Sequence, residues 1–235
     1  MVMSRARKKV RKLRRLLQDD VPRPQPAKAN EPQVLALDSV NAGRFLFFDD
    51  LIMKTRDVPG DIVECGVGEG VSMLLMAHIV HARQLDKQLW GFDSFEGFPE
   101  PTPEDDSHRA AQKGEWSLPK QQALELLRSH LDDELFFRSH ISLIKGFFED
   151  SLGVHKGPIA LLHLDCDLYQ SYKVCLETLY PKVSPGGIVA FDEYHREGDV
   201  WPGAPKAIDE FFADKQVELV KDQLYGKFYV VKPAG

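Results

Sequence analysis

Residues 158–167 read Pro158-Ile-Ala-Leu-Leu-His-Leu-Asp-Cys-Asp167, an apolar run that ends abruptly in two carboxylates. Such a run is typical of a strand buried on both faces of a parallel sheet, with the acids at its carboxyl end. A second run, Gly187-Ile-Val-Ala-Phe-Asp-Glu193, follows after one helix-length segment. If the two strands are neighbours, Asp165, Asp192 and Glu193 emerge side by side. Three carboxylates at one edge repel one another, so the sequence predicts a bound cation there.

The rest of the chain alternates between strand patterns and helix patterns. Three further apolar segments bounded by turn residues predict strands: 61–65, 88–93 and 141–146. Helical patterns lie between the strands, over 71–83, 118–130, 170–180 and 204–214. The closing segments 217–221 and 227–232 are joined by Tyr225-Gly226 and predict an antiparallel hairpin. We therefore predict an α/β fold, a doubly wound sheet that is mostly parallel and carries an antiparallel C-terminal hairpin strand.

Composition predicts one cytoplasmic domain. The chain has 235 residues, 43% of them hydrophobic, which suffices for one large core over residues 34–235. We find no apolar run of the roughly 18 residues that a membrane span needs. The three cysteines lack metal-ligand spacing and are interpreted as buried thiols in a reducing compartment. Whether the chain forms a homo-oligomer stays open.

The first 33 residues form a basic segment followed by a proline-rich linker. Eight Lys or Arg and no acid occur in the first 15 residues, although the whole chain has a net charge of −6. The body is therefore acidic, which argues against nucleic acid as its substrate. Apolar residues at helical spacing within 1–17 leave two readings open, a solvated basic helix and a weak contact with an anionic membrane surface.

A glycine-rich turn follows the first predicted strand and leads into a helix. Gly66, Gly68 and Gly70 allow a ligand to approach the backbone closely and expose amides at the helix start. Val71 stands where the third glycine of the dinucleotide fingerprint would be, so that fingerprint is absent. Asp93 ends the second strand, where an acid usually accepts hydrogen bonds from both ribose hydroxyls of a nucleoside ligand.

Two more segments are predicted near the same edge. The turn after the third strand contains Phe147 and Glu149, where an aromatic ring either sandwiches a planar ligand or packs in the core. We count both residues, together with Ser94, among the cofactor-binding candidates. The proline-rich loop from Phe98 to Leu118 has few core residues and is predicted to close as a lid over the acceptor.

The motifs together resemble the macrocin O-methyltransferase family of sugar-modifying enzymes over about residues 40–233. The resemblance rests on five segments in the family's order and spacing: Pro59-Gly-Asp-Ile-Val-Glu-Cys-Gly-Val67, Asp93-Ser-Phe-Glu-Gly-Phe-Pro99, Leu164-Asp-Cys-Asp-Leu-Tyr169, Leu179-Tyr-Pro-Lys-Val-Ser-Pro-Gly-Gly187 and Asp192-Glu-Tyr194. It implies a class I, Rossmann-like methyltransferase fold, S-adenosylmethionine as the methyl donor, and a divalent cation, usually magnesium.

By position, the resemblance assigns Glu64, Gly66, Gly68 and Asp93 to the cofactor, and Asp165, Asp192 and Glu193 to the metal. This chain departs from the family pattern twice. Glu193 replaces an aspartate that often follows Asp192, and Val67-Gly68-Glu69 replaces the usual aromatic and arginine after the first glycine.

Removal of the acceptor proton requires a base. Asp165 is the first candidate, in a shared metal and base role, because its strand end lies nearest the expected methyl group. His195, three residues after Asp192, is the second candidate. His163 lies inside a predicted strand and is interpreted as a hydrogen-bonded core residue, and Asp167 is interpreted as the N-cap of the next helix.

The predicted acceptor is a hydroxyl of a sugar, free or attached to a natural product or glycan. Three acidic ligands leave room on the cation for two neighbouring oxygens of a diol. A catechol presents the same two oxygens and stays as an alternative. An NAD-dependent oxidoreductase and a membrane-associated binding protein without activity are the other two alternatives.

Overall fold

The computed structural model describes residues 38–194 and 200–233. The basic segment, the linker and His195 lie outside the described residues, so the predictions made for them stay predictions. Residues 35–235 group into one compact unit. Within the described part of the chain, none of the helices has the length and apolar character that crossing a membrane requires.

Seven strands form one sheet with the order β3-β2-β1-β4-β5-β7-β6. Their bounds are β1 Asp61–Cys65, β2 Leu89–Asp93, β3 Ile141–Lys145, β4 Ile159–Leu164, β5 Val183–Phe191, β6 Val220–Lys221 and β7 Phe228–Val231. Strands β1 to β5 pair in parallel, and β7 is antiparallel to both β5 and β6. The predicted mostly parallel sheet with a C-terminal hairpin is confirmed.

Helices cover both faces of the sheet. Their bounds are α1 Ser39–Lys54, α2 Val71–Ala82, α3 Lys120–His130, α4 Glu134–His140, α5 Phe148–Ser151, α6 Tyr169–Leu179 and α7 Gly203–Phe212. Buried residues of α1 to α4 form one hydrophobic core, and those of α6 and α7 form the other. The sheet is therefore doubly wound, as predicted.

Strand β4 lies in the middle of the sheet, and all six of its residues are buried. This placement explains its apolar run, because both faces of a central parallel strand pack against helices. Leu164 pairs with Cys65 of β1 on one side and with Phe191 of β5 on the other. The residues that follow these strands, Asp165 and Asp192, therefore emerge at the same edge of the sheet.

The structure departs from the predicted elements in two places. Helix α4 was not predicted, because its seven residues are too few to show a clear helical period. Strand β5 begins at Val183, four residues before the apolar run from Gly187 that predicts it. Residues 184–187 loop out between two pairs of the β4–β5 register, Ile159 with Val183 and Leu161 with Ile188, so the strand starts with an irregularity.

Candidate active site at the carboxyl edge of the sheet

The glycine-rich turn joins β1 to α2 at this edge. Gly66, Gly68 and Gly70 all have positive φ angles, of 90°, 51° and 94°. A Cβ atom on Gly66 would lie only 1.7 Å from the carbonyl oxygen of Asp165. Glycine is therefore required at position 66, because the backbone that leaves β4 passes directly against the turn.

Asp93 at the end of β2 fixes the shape of this turn. Its Oδ2 atom accepts hydrogen bonds from the amides of Val67 and Gly68, both at 2.9 Å. Its Oδ1 atom accepts a third from the amide of Phe95 at 2.6 Å. A carboxylate offers about four lone-pair positions, so roughly one remains for a ligand hydroxyl. The sequence predicted that Asp93 accepts hydrogen bonds from two ribose hydroxyls. Because three backbone amides already donate to this carboxylate, about one hydroxyl can be accepted in this conformation.

A cavity of about 460 Å³ opens between the glycine turn and the acids that follow β4. Seven of the predicted site residues line it: Gly66, Gly68, Asp93, Ser94, Phe147, Glu149 and Asp165. Arg44, Trp116 and Asp167 are among the other residues of the cavity wall, which were not predicted to bind a ligand. Glu64 and Gly70 are absent from the wall, although both were predicted to bind the cofactor.

Glu64 lies inside the sheet. Its side chain is fully buried, and its Oε1 atom is 3.1 Å from Nδ1 of His163 on the neighbouring strand. Burial raises the pKa of Glu64 well above its usual range. Its Oε2 atom has no hydrogen-bond partner among the described residues. Glu64 thus supports the pairing of β1 with β4, and the prediction of His163 as a hydrogen-bonded core residue is confirmed.

His163, Asp165 and Asp192 form the one group in the described ranges whose side chains could share a metal ion. One ligand atom from each lies within 4.8 Å of the others. Burial, followed by the charge of Asp192, raises the pKa of Asp165 to about 7. Burial also acts to raise the pKa of Asp192, but the charges of Lys227 and His163 and the hydrogen bonds to Lys227 and Glu193 together outweigh it, so the pKa is lowered. The Nζ atom of Lys227 lies 2.7 Å from Oδ2 of Asp192.

Glu193 lies outside this group. Its Oε2 atom accepts hydrogen bonds from Oη of Tyr172 at 2.5 Å and from the amide of Asp167 at 3.3 Å. Burial raises the pKa of Glu193 well above its usual range, and the nearby acids raise it further. The three predicted metal ligands are therefore not brought together as expected, because Tyr172 holds the Glu193 carboxylate while His163 lies beside the two aspartates.

The prediction that Asp167 caps helix α6 is wrong. The N-cap residue is Leu168, and the amide of Tyr169 donates to Oδ1 of Asp105 at 2.7 Å. Asp167 instead has a positive φ of 59° and lines the cavity. Burial and the charge of Asp165 raise its pKa. Asp167 is therefore a buried acid that is available to a ligand in the cavity.

The proline-rich loop is anchored to the body by Asp105. Besides the bond from α6, Oδ2 of this buried carboxylate accepts from the amide and hydroxyl of Thr102, at 2.8 and 2.9 Å. A Cβ atom on Gly203 would lie 2.1 Å from Oδ1 of Asp105, so glycine is needed where α7 begins. The loop thus lies over the cavity as a fixed wall in this structure, and its predicted closure on ligand binding stays a prediction.

Two basic residues that face the acids were missed. Arg44 of α1 lines the cavity and donates from Nε to Oη of Tyr225 at 2.9 Å. Burial acts to lower its pKa, but the bond to Tyr225 and the charges of Asp192 and Asp165 raise it overall. Lys227 comes from the C-terminal hairpin. Neither residue belongs to a motif, so only the three-dimensional arrangement identifies them.

The donor set fits a divalent cation. Burial and the negative charge of Asp192 raise the proton affinity of Asp165. A cation between these two carboxylates would remove their mutual repulsion. Carboxylate oxygens suit magnesium and manganese, and the imidazole of His163 suits transition metals such as manganese. Lys227 supplies the compensating charge to Asp192 in this structure.

Comparisons with known proteins agree with this geometry. The family model described as macrocin O-methyltransferase (TylF) matches residues 10–224. The 8-demethyl-8-(2,3-dimethoxy-alpha-L-rhamnosyl)-tetracenomycin-C 4'-O-methyltransferase of Streptomyces olivaceus is 37% identical over 146 residues, which are 58% of this chain and 54% of that protein. The demethyldecarbamoylnovobiocin O-methyltransferase of Streptomyces niveus is 31% identical over 182 residues, which are 72% of this chain and 66% of that protein.

A solved structure gives the same result. The crystal structure of CalS11, a calicheamicin methyltransferase, superposes with a TM-score of 0.72 at 26% identity and covers 94% of this chain and 90% of that one. The chain spans 54% and 66% of the lengths of the two curated relatives. The match over residues 10–224 includes every strand of the sheet before β7 and the whole glycine turn and acid cluster. The chain therefore belongs to the macrocin O-methyltransferase family.

Proposed function

We propose that this chain transfers a methyl group from S-adenosylmethionine to a hydroxyl of a sugar or glycosylated natural product, with a divalent cation at Asp165 and Asp192. One observation carries the proposal. The glycine turn shaped by Asp93 and the carboxylate of Asp165 line the same cavity. A nucleoside donor held on the turn would therefore have its reactive end near a group that accepts protons.

Three features of the cavity wall support donor binding. Val71 and Ser72, at the start of α2 directly after the glycine turn, line the cavity, and backbone N–H groups at a helix start attract a carboxylate or another anionic group. Asp93 retains about one lone-pair position for a ribose hydroxyl. Phe147 and Phe148 offer aromatic surface to a planar base. S-adenosylmethionine, when bound, supplies an electrophilic methyl group on a positively charged sulfur.

The acids then position the acceptor and remove its proton. Methyl transfer is an in-line displacement, so the acceptor oxygen must be held against the methyl group and lose its proton during the reaction. Without a cation, burial and the charge of Asp192 raise the pKa of Asp165 to about 7, and a bound cation would favour the ionised carboxylate that can accept the proton. A divalent cation bound here would lower the proton affinity of a hydroxyl that it contacts. Asp167, on the same wall as Asp165, is a further candidate base, and His195 stays a candidate from the sequence.

Metal binding would require rearrangement of the charge pairs. Lys227 occupies Oδ2 of Asp192, and Tyr172 occupies Oε2 of Glu193. Asp165 and Asp192 would hold the cation, with His163 adjacent, and Glu193 would join them only by exchanging its bond with Tyr172. At Asp192 the cation would replace the positive charge of Lys227 by a higher one.

The sugar acceptor is supported by the relatives' names, which mention a rhamnosyl group in one case and a novobiocin derivative in the other. A catechol remains the alternative because it also presents two neighbouring oxygens to a cation. The oxidoreductase alternative is disfavoured, because the glycine turn lacks the third glycine of the dinucleotide fingerprint.

A methyl-transfer assay tests the proposal. Labelled S-adenosylmethionine is incubated with sugar nucleotides, glycosides and catechols, first with magnesium or manganese and then with excess chelator. We expect label on a sugar hydroxyl that is lost in chelator. Label on catechols alone would move the assignment to the catechol class, and full activity in chelator would refute the role of the metal.

A further inference from the structure

Three aromatic rings meet at the proline-rich loop, and two of them, those of Phe98 and Trp116, line the cavity. The ring centroids of Phe98, Trp116 and Trp201 lie 5.5 to 5.8 Å apart in each pairwise combination. The guanidinium of Arg109 lies 4.3 Å from the ring centre of Trp201 and 5.3 Å from that of Trp116. We call these four side chains, with Glu115, the lid cluster.

Trp116 is the unusual member of the lid cluster. It lines the cavity, yet 59% of its surface is exposed to solvent. Its φ angle is 60°, in the left-handed region that a bulky residue rarely adopts. Strained backbone of this kind persists only where the surroundings enforce it, and it is concentrated at functional sites.

The surroundings of Trp116 enforce its conformation. The amide of Phe98 donates to the carbonyl of Glu115 at 3.0 Å, and the amide of Gly114 donates back to Phe98 at 2.9 Å. A Cβ atom on Gly97 would lie 2.4 Å from the Glu115 carbonyl, so glycine permits this close pairing. The indole is thus held rigidly with one broad surface open, although it adds little to the core.

The charges next to the indole indicate which ligand it fits. Arg109 and Glu115 form two hydrogen bonds, at 2.9 and 2.5 Å, so their charges cancel and the lid cluster is a poor site for an anion. Their planar polar edges lie beside an apolar ring face. A pyranose ring has the matching chemistry, because its C–H groups form an apolar face and its hydroxyls surround that face.

The lid cluster lies close to the reacting groups. Trp116, Asp165 and Asp167 line one continuous cavity. A ring stacked on the indole would therefore have its hydroxyls directed towards the acids, whereas a larger aglycone would extend past the exposed edge of Trp116.

We propose that Trp116 is the stacking platform for the sugar ring of the acceptor, and that Arg109 and Glu115 bind hydroxyls at the rim of that ring. Phe98 and Trp201 hold the indole in position. This inference rests on the proposed function, since it names the surface on which the acceptor of that reaction binds. It assigns a specificity role to residues outside the motifs that define the family resemblance.

Calorimetric titration of the full chain with methyl α-L-rhamnopyranoside, in the presence of saturating S-adenosylhomocysteine and manganese, tests the proposal. We expect Trp116→Ala to weaken rhamnoside binding at least tenfold and Trp116→Phe to weaken it two- to threefold, because phenylalanine keeps part of the stacking surface. Leu135→Ala is the matched control, because Leu135 is 78% exposed on α4 and does not line the cavity. Binding of S-adenosylhomocysteine itself should be unchanged in all three variants.

The outcomes separate the two proposals. If S-adenosylhomocysteine does not bind the wild-type protein, the proposed function fails and the inference fails with it. If it binds and the rhamnoside binds wild type and Trp116→Ala equally, or binds neither, the platform is refuted while the donor site stands. Saturation-transfer NMR adds a structural readout: the strongest signals should come from C–H protons of one sugar face. Displacement of the rhamnoside by 1-naphthol with a tenfold higher affinity would show that the indole serves an aromatic aglycone, and would also overturn the inference.

Discussion

Replacing Asp93 by alanine is expected to weaken S-adenosylhomocysteine binding by about 10- to 150-fold. The carboxylate accepts three hydrogen bonds from backbone amides, at 2.6 to 2.9 Å, and two of these amides belong to the glycine turn. A hydrogen bond to a charged group contributes about 1.5–3 kcal/mol. Without the Asp93 carboxylate, binding of the ligand must itself order the glycine turn. The ligand hydroxyl also loses its hydrogen-bond acceptor.

The affinity change follows from the smaller of these losses. We take the loss as equivalent to one hydrogen bond to a charged group, about 1.5–3 kcal/mol. Because roughly 1.4 kcal/mol corresponds to a tenfold change in the dissociation constant, this loss gives the expected range. Isothermal titration calorimetry of S-adenosylhomocysteine measures the change directly. Asp133→Ala is the matched control, since Asp133 also accepts a backbone amide, that of Phe136 at 2.9 Å, but at the start of α4 and outside the cavity wall.

Asp133→Ala should lower stability by about 1 kcal/mol and leave the affinity unchanged. The reasoning would be refuted if Asp93→Ala bound the ligand as tightly as wild type while remaining folded. An equal loss of affinity in both variants would show that the effect is one of general stability, and it would remove the special role of the turn.

Three further predictions follow from the described contacts. Asp165→Asn should abolish methyl transfer while the melting temperature falls by no more than a few degrees; substantial residual turnover would exclude Asp165 as the base. Asp105→Ala should lower the free energy of unfolding by about 3 kcal/mol, because the three hydrogen bonds to this buried carboxylate are lost. The same variant should be cleaved faster by trypsin at Arg109, and an unchanged cleavage rate would mean that Asp105 does not anchor the loop. In chelator, the free energy of unfolding should fall as the pH rises from about 4 to 7. Over this range Asp165 keeps its proton in the folded protein, where its pKa is about 7, but has lost it in the unfolded chain. Manganese should reverse that loss, and a denaturation series that is flat over this range would contradict the raised pKa.

Much of the fold was readable because single physical constraints determine it. The run that forms β4 has to be buried on both faces, so its apolar composition identifies a central strand. The acids after β4 and β5 then follow from the register of two neighbouring parallel strands. The glycine turn was also predicted, although the sequence indicated close approach of a ligand, whereas at Gly66 the nearest group is the carbonyl of Asp165.

The parts that were missed depend on contacts between distant segments. Asp105 caps a helix that begins 64 residues later, and no local pattern indicates that pairing. Arg44 and Lys227 face the acids from α1 and from the hairpin, where each reads as an ordinary surface charge. The left-handed backbone of Trp116 lies next to the hydrogen bonds that Phe98 forms with Gly114 and Glu115. In the sequence these contacts are visible only as a phenylalanine that follows Gly97, which does not indicate the pairing.

Glu64 and Glu193 show how a motif fixes a position without fixing a role. Both were assigned to ligands through the resemblance, and each has one carboxyl oxygen beside a protein partner, His163 for Glu64 and Tyr172 for Glu193. Side-chain direction depends on which neighbouring polar group is available in the folded chain. That information lies in the packing of β1, β4 and α6 and is absent from the motif itself.

The donor and the cation are proposed to meet at Asp165, which lines the cavity, with Asp192 beside it as the second carboxylate ligand. The most direct measurement is a crystal structure with S-adenosylhomocysteine and manganese, using anomalous diffraction to locate the metal. The account predicts the ligand's ribose beside Asp93, its sulfur towards Asp165, and a manganese peak bonded to Asp165 and Asp192 with the Lys227 ion pair broken. A ligand bound outside the cavity, or an intact Lys227–Asp192 pair with no manganese peak at these carboxylates, would contradict it.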